Sequence, residues 1–176
     1  MRKLKVFLAV LLASLSLHVH PSEIDSLLRE LDMSIRNRPQ YTLKRQEQID
    51  ALQRKLRLSH SDQERYDLYR ELFGKYRSYR MDSALWVANQ RVELAKRMKN
   101  PLYIRSAELN IAEVMIGVAM YKEGLEILDG IKSADLDASG VSYYYYQYHQ
   151  VYTLMADYAF SDQMKEHYRG LAYQYK

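Results

Sequence analysis

The chain has 176 residues, 48% of them apolar, and its 26 Lys and Arg outnumber its 22 Asp and Glu, an ordinary composition for one globular domain. It contains no Cys, which excludes disulfide scaffolds, Cys-ligated zinc, iron–sulfur clusters and thiol catalysis. Because 6 Gly and 3 Pro are too few turn-forming residues for a many-stranded sandwich or barrel, the composition predicts an all-α fold.

The N-terminal 20 residues have the layout of a secretory signal peptide. Three basic residues within the first five precede an apolar run over 6–17, which is too short to span a membrane. We therefore expect residues 1–20 to be a signal peptide and residues 21–176 to be an exported domain. Its expected location is the periplasm of a Gram-negative-type cell, or the periplasmic side of the inner membrane if the leader is not cleaved.

Removal of this leader lowers the net charge of the chain, and the net charge bears on whether a nucleic acid is expected as a partner. The formal net charge falls from +4 to +1 when the three leader cations are left out. A basic balance is the main sequence evidence for nucleic-acid binding, so we expect no nucleic-acid partner for this segment.

Two helices are predicted between Pro21 and Leu58. The first begins at Pro21 and ends near Asn37, because Pro39 disfavours helical geometry in the residue before it. The second begins at Tyr41 and carries apolar residues at spacings of three and four up to Leu58.

Four further helices are predicted before Gly130, each preceded by a capping or turn signal. Ser61 and Glu64 have the spacing of a capping box, in which the hydroxyl caps a backbone amide, and the third helix continues to about Tyr79. The other starts are Asp82 for the fourth helix, Asn100 followed by Pro101 for the fifth, and Lys122 for the sixth.

The last two helices follow a small acidic linker over 133–140. The seventh helix is predicted over about 141–159, and Ser161 caps an eighth helix that continues to the end. The small residues Ala84 and Gly124 occupy equivalent positions early in the fourth and sixth helices, where they allow close approach of the paired helix.

The helix starts repeat at a fixed interval. The even-numbered helices begin at Tyr41, Met81, Tyr121 and Ser161, which are 40 residues apart. Two-helix units that repeat every ~34 to 47 residues are typical of α-solenoids, in which neighbouring hairpins cover each other's apolar faces. The sequence therefore predicts an α-solenoid of about four helical hairpins.

Two segments carry a resemblance to tetratricopeptide repeats. Residues 120–128, Met-Tyr-Lys-Glu-Gly-Leu-Glu-Ile-Leu, resemble the start of the second helix of such a repeat, and residues 79–85 are a weaker match. The family's usual repeat is shorter, at about 34 residues. The resemblance thus implies tetratricopeptide-like hairpins with a longer period.

Nearly the whole chain also resembles an uncharacterised bacterial family of membrane-anchored regulators. The similarity is carried by the basic leader, Leu31-Asp32 with 38–52, the segment 72–94, and a Tyr-rich helix ending at 156–159. The resemblance implies an exported tetratricopeptide-like sensor region. In that family the resemblance implies one transmembrane helix and a cytoplasmic coiled-coil part with a DNA-binding end. We expect the present sequence to be the sensor half on its own, a fragment, or a truncated gene product.

Tyrosine is the strongest compositional anomaly. The chain has 17 Tyr, 16 of them between Tyr66 and Tyr175, and six lie within 143–152. Tyr145, Tyr148 and Tyr152 share one helical face, which we expect to be core.

Other aromatic residues of the first helices could instead line a groove for a peptide, a protein or a glycan, because Tyr combines a rigid ring with a polar tip. The alternative is that these rings fill the solenoid interior, where the inner helices are buried on two sides. The candidate groove residues are Tyr66, Tyr69, Tyr143, Tyr146 and His149.

No catalytic, metal or cofactor site is predicted. The five His have no metal-ligand spacing, and the glycines have no phosphate-binding pattern. Residues 135–140 begin like a calcium loop, but Tyr146 stands where the closing Glu is needed, so a plain linker is expected. Since no nucleophile, base and orienting group can be assembled, we expect the protein not to be an enzyme.

The sequence therefore predicts a non-enzymatic helical repeat module that binds a protein or peptide. The resemblance adds the role of exported sensor part of a membrane-linked regulatory system. The membrane would be reached through an uncleaved leader or a C-terminal segment beyond this sequence.

The alternative is a structural component of a cell-envelope complex, assembled by solenoid stacking. Residues 21–100 carry a formal charge of +5 and residues 101–176 carry −4, a hint of attraction between copies. Leu171, Tyr173 and Tyr175 near the end would leave apolar surface for a fifth repeat or another copy.

Overall fold

The computed structural model describes residues 21–176, and the predicted signal peptide over 1–20 lies outside the described residues. Within 21–176 the chain forms seven α-helices, one short 3-10 helix and no strand, which confirms the all-α prediction. The helices are α1 (Pro21–Leu58), α2 (Asp62–Tyr76), α3 (Met81–Arg97), α4 (Pro101–Gly117), α5 (Tyr121–Asp129), α6 (Ala138–Asp157) and α7 (Asp162–Gln174), and the 3-10 helix is Ser133–Asp135.

The predicted 40-residue period is confirmed by the second helices of the hairpins. Helix α3 begins at Met81, α5 at Tyr121 and α7 at Asp162, so the starts agree with a 40-residue spacing to within one residue. Helices α2 and α3, α4 and α5, and α6 and α7 pack as hairpins, and α3 also packs against α4. The result is a helical repeat solenoid with three complete hairpins.

The predicted break between the first two helices is wrong. Helix α1 is continuous for 38 residues with Pro39 inside it. Proline removes one backbone hydrogen bond, which frees the carbonyl of Ile35, four residues earlier. Because residues 38–43 and Ile35 itself are solvent-exposed, water can satisfy that carbonyl, and the helix need not end there. The N-terminal segment is therefore one long helix and not a fourth hairpin.

The described residues divide into two compact units after Gln46. In the N-terminal unit the apolar side chains of α1 are exposed, including Leu27, Leu31 and Ile35. The unit 47–176 contains the last turns of α1 and the three hairpins.

Side-chain caps begin four of the helices. The Ser61 hydroxyl accepts from the amide of Glu64 at 3.1 Å, as the capping box predicts. Asn100 and Ser161 likewise cap α4 and α7, at 3.2 and 3.3 Å. Helix α6 begins three residues before the predicted start because the Asp137 carboxylate accepts from the amide of Gly140 at 2.7 Å.

Two helix ends adopt left-handed backbone without glycine. Lys99 after α3 has φ 51° and Ala119 after α4 has φ 63°. In both turns the following amide donates to a carbonyl five residues earlier, Asn100 to Ala95 and Met120 to Met115. These hydrogen bonds close the two helices, and Lys99 and Ala119 take the positive φ that glycine usually supplies at such ends, so no glycine marks them in the sequence.

Three apolar clusters form the core of the unit 47–176. One joins the end of α1 to α2 and α3 around Ile49, Leu72 and Val87. A second joins α4, α5 and α6 around Leu109, Leu128 and Val151, and a third lies around Tyr66, Leu94 and Ala95. The three clusters follow one another along the solenoid, and they join helices of adjacent hairpins. Each hairpin is therefore stabilised by its neighbours.

The two small residues in the second helices lie at tight helix contacts, as predicted. Ala84 is fully buried. A Cβ added at Gly124 would lie 2.8 Å from Cγ1 of the buried Ile116 on α4, well inside van der Waals contact. Gly124 therefore sets how closely α5 approaches α4.

Gly124→Ala is expected to lower the free energy of unfolding by about 1 kcal/mol, since overpacking costs about 1–3 kcal/mol and the gain in helix propensity recovers about 1. The matched control is Gly170→Ala on α7, where an added Cβ meets nothing within 4 Å. That control should instead stabilise the chain by about 0.5–1 kcal/mol. Urea midpoints measure both, and equal upward shifts in the two variants would contradict the close contact.

Candidate functional site

A cavity of about 400 Å³ lies between the first helices of the three hairpins. Its volume is in the range of small ligand sites, about 300–1,000 Å³. Helices α2 and α4 form two walls, the start of α6 forms a third, and α3 contributes a single residue, Arg91. The lining residues are Tyr66, Arg70, Phe73, Gly74, Arg77, Arg91, Leu102, Tyr103, Ser106, Leu109, Asn110, Asp137, Ser139, Gly140 and Tyr143.

Arg91 is a buried cation in the wall of this cavity. Only 2% of the residue is exposed. One terminal nitrogen, Nη2, donates to the Tyr66 hydroxyl at 2.7 Å and approaches the Ser106 hydroxyl at 3.5 Å, while Nη1 donates to Oδ1 of Asn110. All these partners are neutral. Burial lowers the pKa of Arg91, and the nearby Tyr66 hydroxyl opposes that effect.

Tyr66 contacts Arg91 through its ring as well as through its hydroxyl. Its ring lies 4.4 Å from the guanidinium carbon, a cation–π contact. On the α4 side the ring stacks on Tyr103, with centroids 4.5 Å apart, and the Tyr66 hydroxyl donates to the Tyr103 carbonyl at 2.9 Å. Burial raises the pKa of Tyr66 above its usual value. The ring is therefore both core and cavity wall.

A polar bridge from the end of α2 to α4 and α6 joins two of the lining residues, Arg77 and Tyr143. Arg77 and Glu113 form an ion pair at 3.0 Å, and the Tyr143 hydroxyl donates to the other oxygen of Glu113. Glu113 raises the pKa of Arg77. Burial and then Glu113 hold the pKa of Tyr143 well above its usual value. Since Arg77 is about half exposed, the ion pair contributes little stability and mainly orients the side chains.

Two of the five predicted groove residues, Tyr66 and Tyr143, line this cavity. The other three do not. Tyr69 packs edge-on against Trp86, with centroids 5.7 Å apart, and Tyr146 is 56% exposed on α6. His149 makes a 2.9 Å hydrogen bond between Nδ1 and the Ala172 carbonyl, which ties α6 to α7 and lies beside a smaller cavity.

The polar groups of the cavity were missed by sequence reasoning. Arg70, Arg77, Arg91 and Asn110 all line it, yet none forms a recognisable motif. A signal for Arg91 does exist in the sequence. Seven residues of α3 are buried. Four of them, at 84, 88, 91 and 95, are spaced by four, three and four residues along one face, and the third is an arginine where an apolar residue is expected.

The linker that begins like a calcium loop serves as a helix cap. The Asp137 carboxylate accepts from the Gly140 amide and from the Ser139 hydroxyl, at 2.7 and 2.9 Å. These donors, the Gly140 amide first, hold the pKa of Asp137 below its usual range. Across residues 21–176 no three His, Cys, Asp or Glu side chains come together as a metal site would need. None of the helices in that range is long and apolar enough to cross a membrane.

The tyrosines predicted to be core form a stacked cluster between α6 and α7. Tyr148 is buried, its hydroxyl donates to Asp129 at 2.6 Å, and its ring stacks on Tyr175 with centroids 4.7 Å apart. Tyr152 also stacks on Tyr175, at 6.0 Å, whereas Tyr145 is 41% exposed. Tyr175 is thus packed on α6 and does not belong to the exposed apolar surface that was expected near the C-terminus. Tyr173 is exposed there, as expected.

A family model described as SusR N-terminal TPR domain matches residues 35–176. The match covers all three hairpins and the later part of α1. Tetratricopeptide repeat families are typically non-catalytic protein-interaction domains. No curated protein and no solved structure matches the chain.

Alkaline pH is expected to destabilise the fold. Burial is the main cause of the raised pKa values of five tyrosines, Tyr66, Tyr69, Tyr143, Tyr148 and Tyr152. A raised pKa means that the folded state favours the neutral ring. The contribution of these rings to the free energy of unfolding is therefore complete below pH ~10 and is lost as the pH rises further. Urea midpoints between about pH 8 and pH 11 measure the loss.

Tyr148→Phe should make the midpoint less dependent on alkaline pH, because it removes one of the ionisable rings. Tyr146→Phe, at an exposed ring, is the matched control and should leave the dependence unchanged. The burial argument fails if absorbance at 295 nm shows all tyrosines ionising together near pH 10 in a chain that stays folded.

Proposed function

The chain belongs to the SusR N-terminal TPR domain family, and from this premise we propose that it is a non-enzymatic module that binds a protein or peptide segment in the cavity between α2, α4 and α6. The observation that carries the proposal is the cavity lining. Rigid aromatic rings from Tyr66, Tyr103 and Tyr143 stand beside guanidinium groups, and Tyr and Arg are enriched where proteins bind one another.

The proposed biological role is the exported sensor part of a membrane-linked regulatory system. Two features support this role. The first 20 residues have the charge and apolar pattern of a secretory leader, and the matched family is by description the N-terminal domain of SusR. Under this proposal residues 21–176 bind a signal outside the cytoplasm, and the structural effect of that binding is transmitted to the rest of the regulatory system.

A second candidate function, assembly with further copies, is favoured by one observation. At the end of α6 and along α7 three aromatic residues are strongly exposed, Phe160 at 98% and Tyr158 and Tyr173 at 77% each. Apolar surface of this kind often marks a contact with another protein. In this alternative another solenoid stacks on α7, and light scattering would show a mass that rises with protein concentration.

A photo-crosslinking residue placed at Gly74 tests occupation of the cavity. Gly74 lines the cavity on α2, and an added Cβ there meets nothing within 4 Å, so a benzoylphenylalanine should fit without disturbing the fold. We expect it to cross-link in native cells to a partner of one defined mass. The matched control is benzoylphenylalanine at Gly170 on α7, which is equally open but lies outside the cavity lining. Identical adducts at both positions, or adducts at neither, would contradict binding in the cavity.

Cell fractionation tests the exported role. An antibody raised against residues 21–176 should detect the protein in the periplasmic or inner-membrane fraction, in each case protected from protease added to the cytoplasmic side. A soluble periplasmic band would make the protein a free-standing adaptor, and a membrane-bound band would make it the sensor of an anchored regulator. A band confined to the cytoplasm would overturn the proposal of export.

A further inference from the structure

A groove separate from the cavity described above lies where the last turns of α1 meet the end of α2 and the start of α3. Its volume is about 330 Å³, within the range of small ligand sites, about 300–1,000 Å³. It is called the Trp86 groove, and its lining residues are Gln53, Tyr76, Asp82, Ser83 and Trp86. None of them lines the cavity between α2, α4 and α6, so the groove can bind a ligand independently of that cavity.

Trp86 forms the exposed aromatic wall of the Trp86 groove. It is the single tryptophan of the chain, and 53% of the residue is exposed. An edge-on contact with Tyr69, with ring centroids 5.7 Å apart, holds the indole in one orientation. The indole therefore offers an oriented π surface on which a cation or another planar group can pack.

Asp82 places an unpaired negative charge beside this ring. Asp82 and Trp86 are four residues apart on α3, so they lie on the same face of the helix. Asp82 belongs to none of the ion pairs found within residues 21–176. Its Oδ1 accepts a long hydrogen bond from the Ser83 hydroxyl at 3.4 Å, and no donor within those residues reaches Oδ2. One carboxylate oxygen is thus open to a ligand.

Gln53 adds a second acceptor to the groove from α1. Its Nε2 donates to the Tyr76 hydroxyl at 3.1 Å, which orients the amide and leaves Oε1 without a donor in the described part of the chain. The open oxygens of Gln53 and Asp82 are therefore both acceptors. A ligand that complements them carries N–H donors and a positive charge.

We propose that the Trp86 groove binds an arginine side chain of a partner protein, with the guanidinium stacked on Trp86 and paired with Asp82. A guanidinium is planar and always charged, and it has five N–H donors and no acceptor, so it matches an indole beside acceptor oxygens. The lining contains no cation for the carboxylate of a free amino acid, so the arginine belongs to a polypeptide. This inference goes beyond the proposed function, because it adds a binding site that is independent of the cavity.

Fluorescence of the single tryptophan measures binding directly when it is excited at wavelengths that tyrosine does not absorb. The probes are Nα-acetyl-arginine-amide and Nα-acetyl-citrulline-amide, which have nearly the same shape although only the first is charged. At constant ionic strength we expect the arginine probe to bind about 3- to 30-fold more tightly, because a cation–π contact and an exposed ion pair each add a modest amount. Free arginine should bind no more tightly than the blocked arginine probe.

Two exposed aspartates provide the matched variants. Asp82→Asn should abolish the preference for arginine over citrulline and leave the fold intact, as circular dichroism will show. Asp162→Asn removes another exposed carboxylate from the first turn of a helix, α7, but lies outside the groove. That control should keep the full preference.

Three results would overturn the inference. Equal affinity for the arginine and citrulline probes would remove the cation site. A preference that persists in the Asp82→Asn chain would place the recognition of charge on another residue. An unchanged tryptophan emission up to about 100 mM arginine probe would exclude binding in this groove, while the cross-link at Gly74 separately tests the cavity between α2, α4 and α6.

Discussion

The buried guanidinium of Arg91 is the interaction on which the inner surface of the solenoid depends. It lies on α3 and hydrogen-bonds Tyr66 on α2 and Asn110 on α4, so one side chain joins both helices of one hairpin to the first helix of the next. Hydrogen bonds to a charged group contribute about 1.5–3 kcal/mol each, more than neutral ones. The same charge makes the site demanding, because a buried cation requires a polar partner in every direction.

A second polar tie continues this pattern toward the C-terminus. Gln147 on α6 is fully buried and donates to the carbonyl of Leu109 on α4 at 2.9 Å. The first helices α2, α4 and α6 are thus joined by buried polar side chains, and the hairpin of α4 and α5 packs on α6 mainly through apolar contacts around Ile116 and Leu128. A cavity with both aromatic and cationic walls forms because these polar ties hold the first helices at fixed distances.

This division separates the apolar contacts that stabilise the solenoid from the polar groups that line its cavity. Apolar clusters behind the first helices supply most of the stability, since burial of apolar surface is the dominant favourable term in folding. The polar groups that line the cavity would, under the proposed function, act mainly on the choice of ligand, because an unmatched buried donor or charge penalises the wrong partner.

Sequence alone determined the features that depend on residues close together in the chain and on the spacing of the repeat. Ser61, Asn100 and Ser161 cap helices because the cap and its amide lie three residues apart, and the 40-residue repeat locates the second helices. Local signals failed at Pro39, because a proline disfavours the helix around it without having to end it, and here solvent can satisfy the carbonyl that it frees. Of the predicted groove residues, Tyr66 and Tyr143 reached the cavity because they lie on the inner faces of α2 and α6.

What only the tertiary structure decided is which polar groups meet. The partners of Arg91 lie 25 and 19 residues away in the sequence, on two other helices, and no spacing within one helix reveals them. The sequence does show an arginine in the buried stripe of α3, but its meaning depends on which neutral or charged groups the adjacent helices present. Helix formation is governed by contacts within a few turns, whereas the charge balance of a cavity is set by side chains that folding brings together.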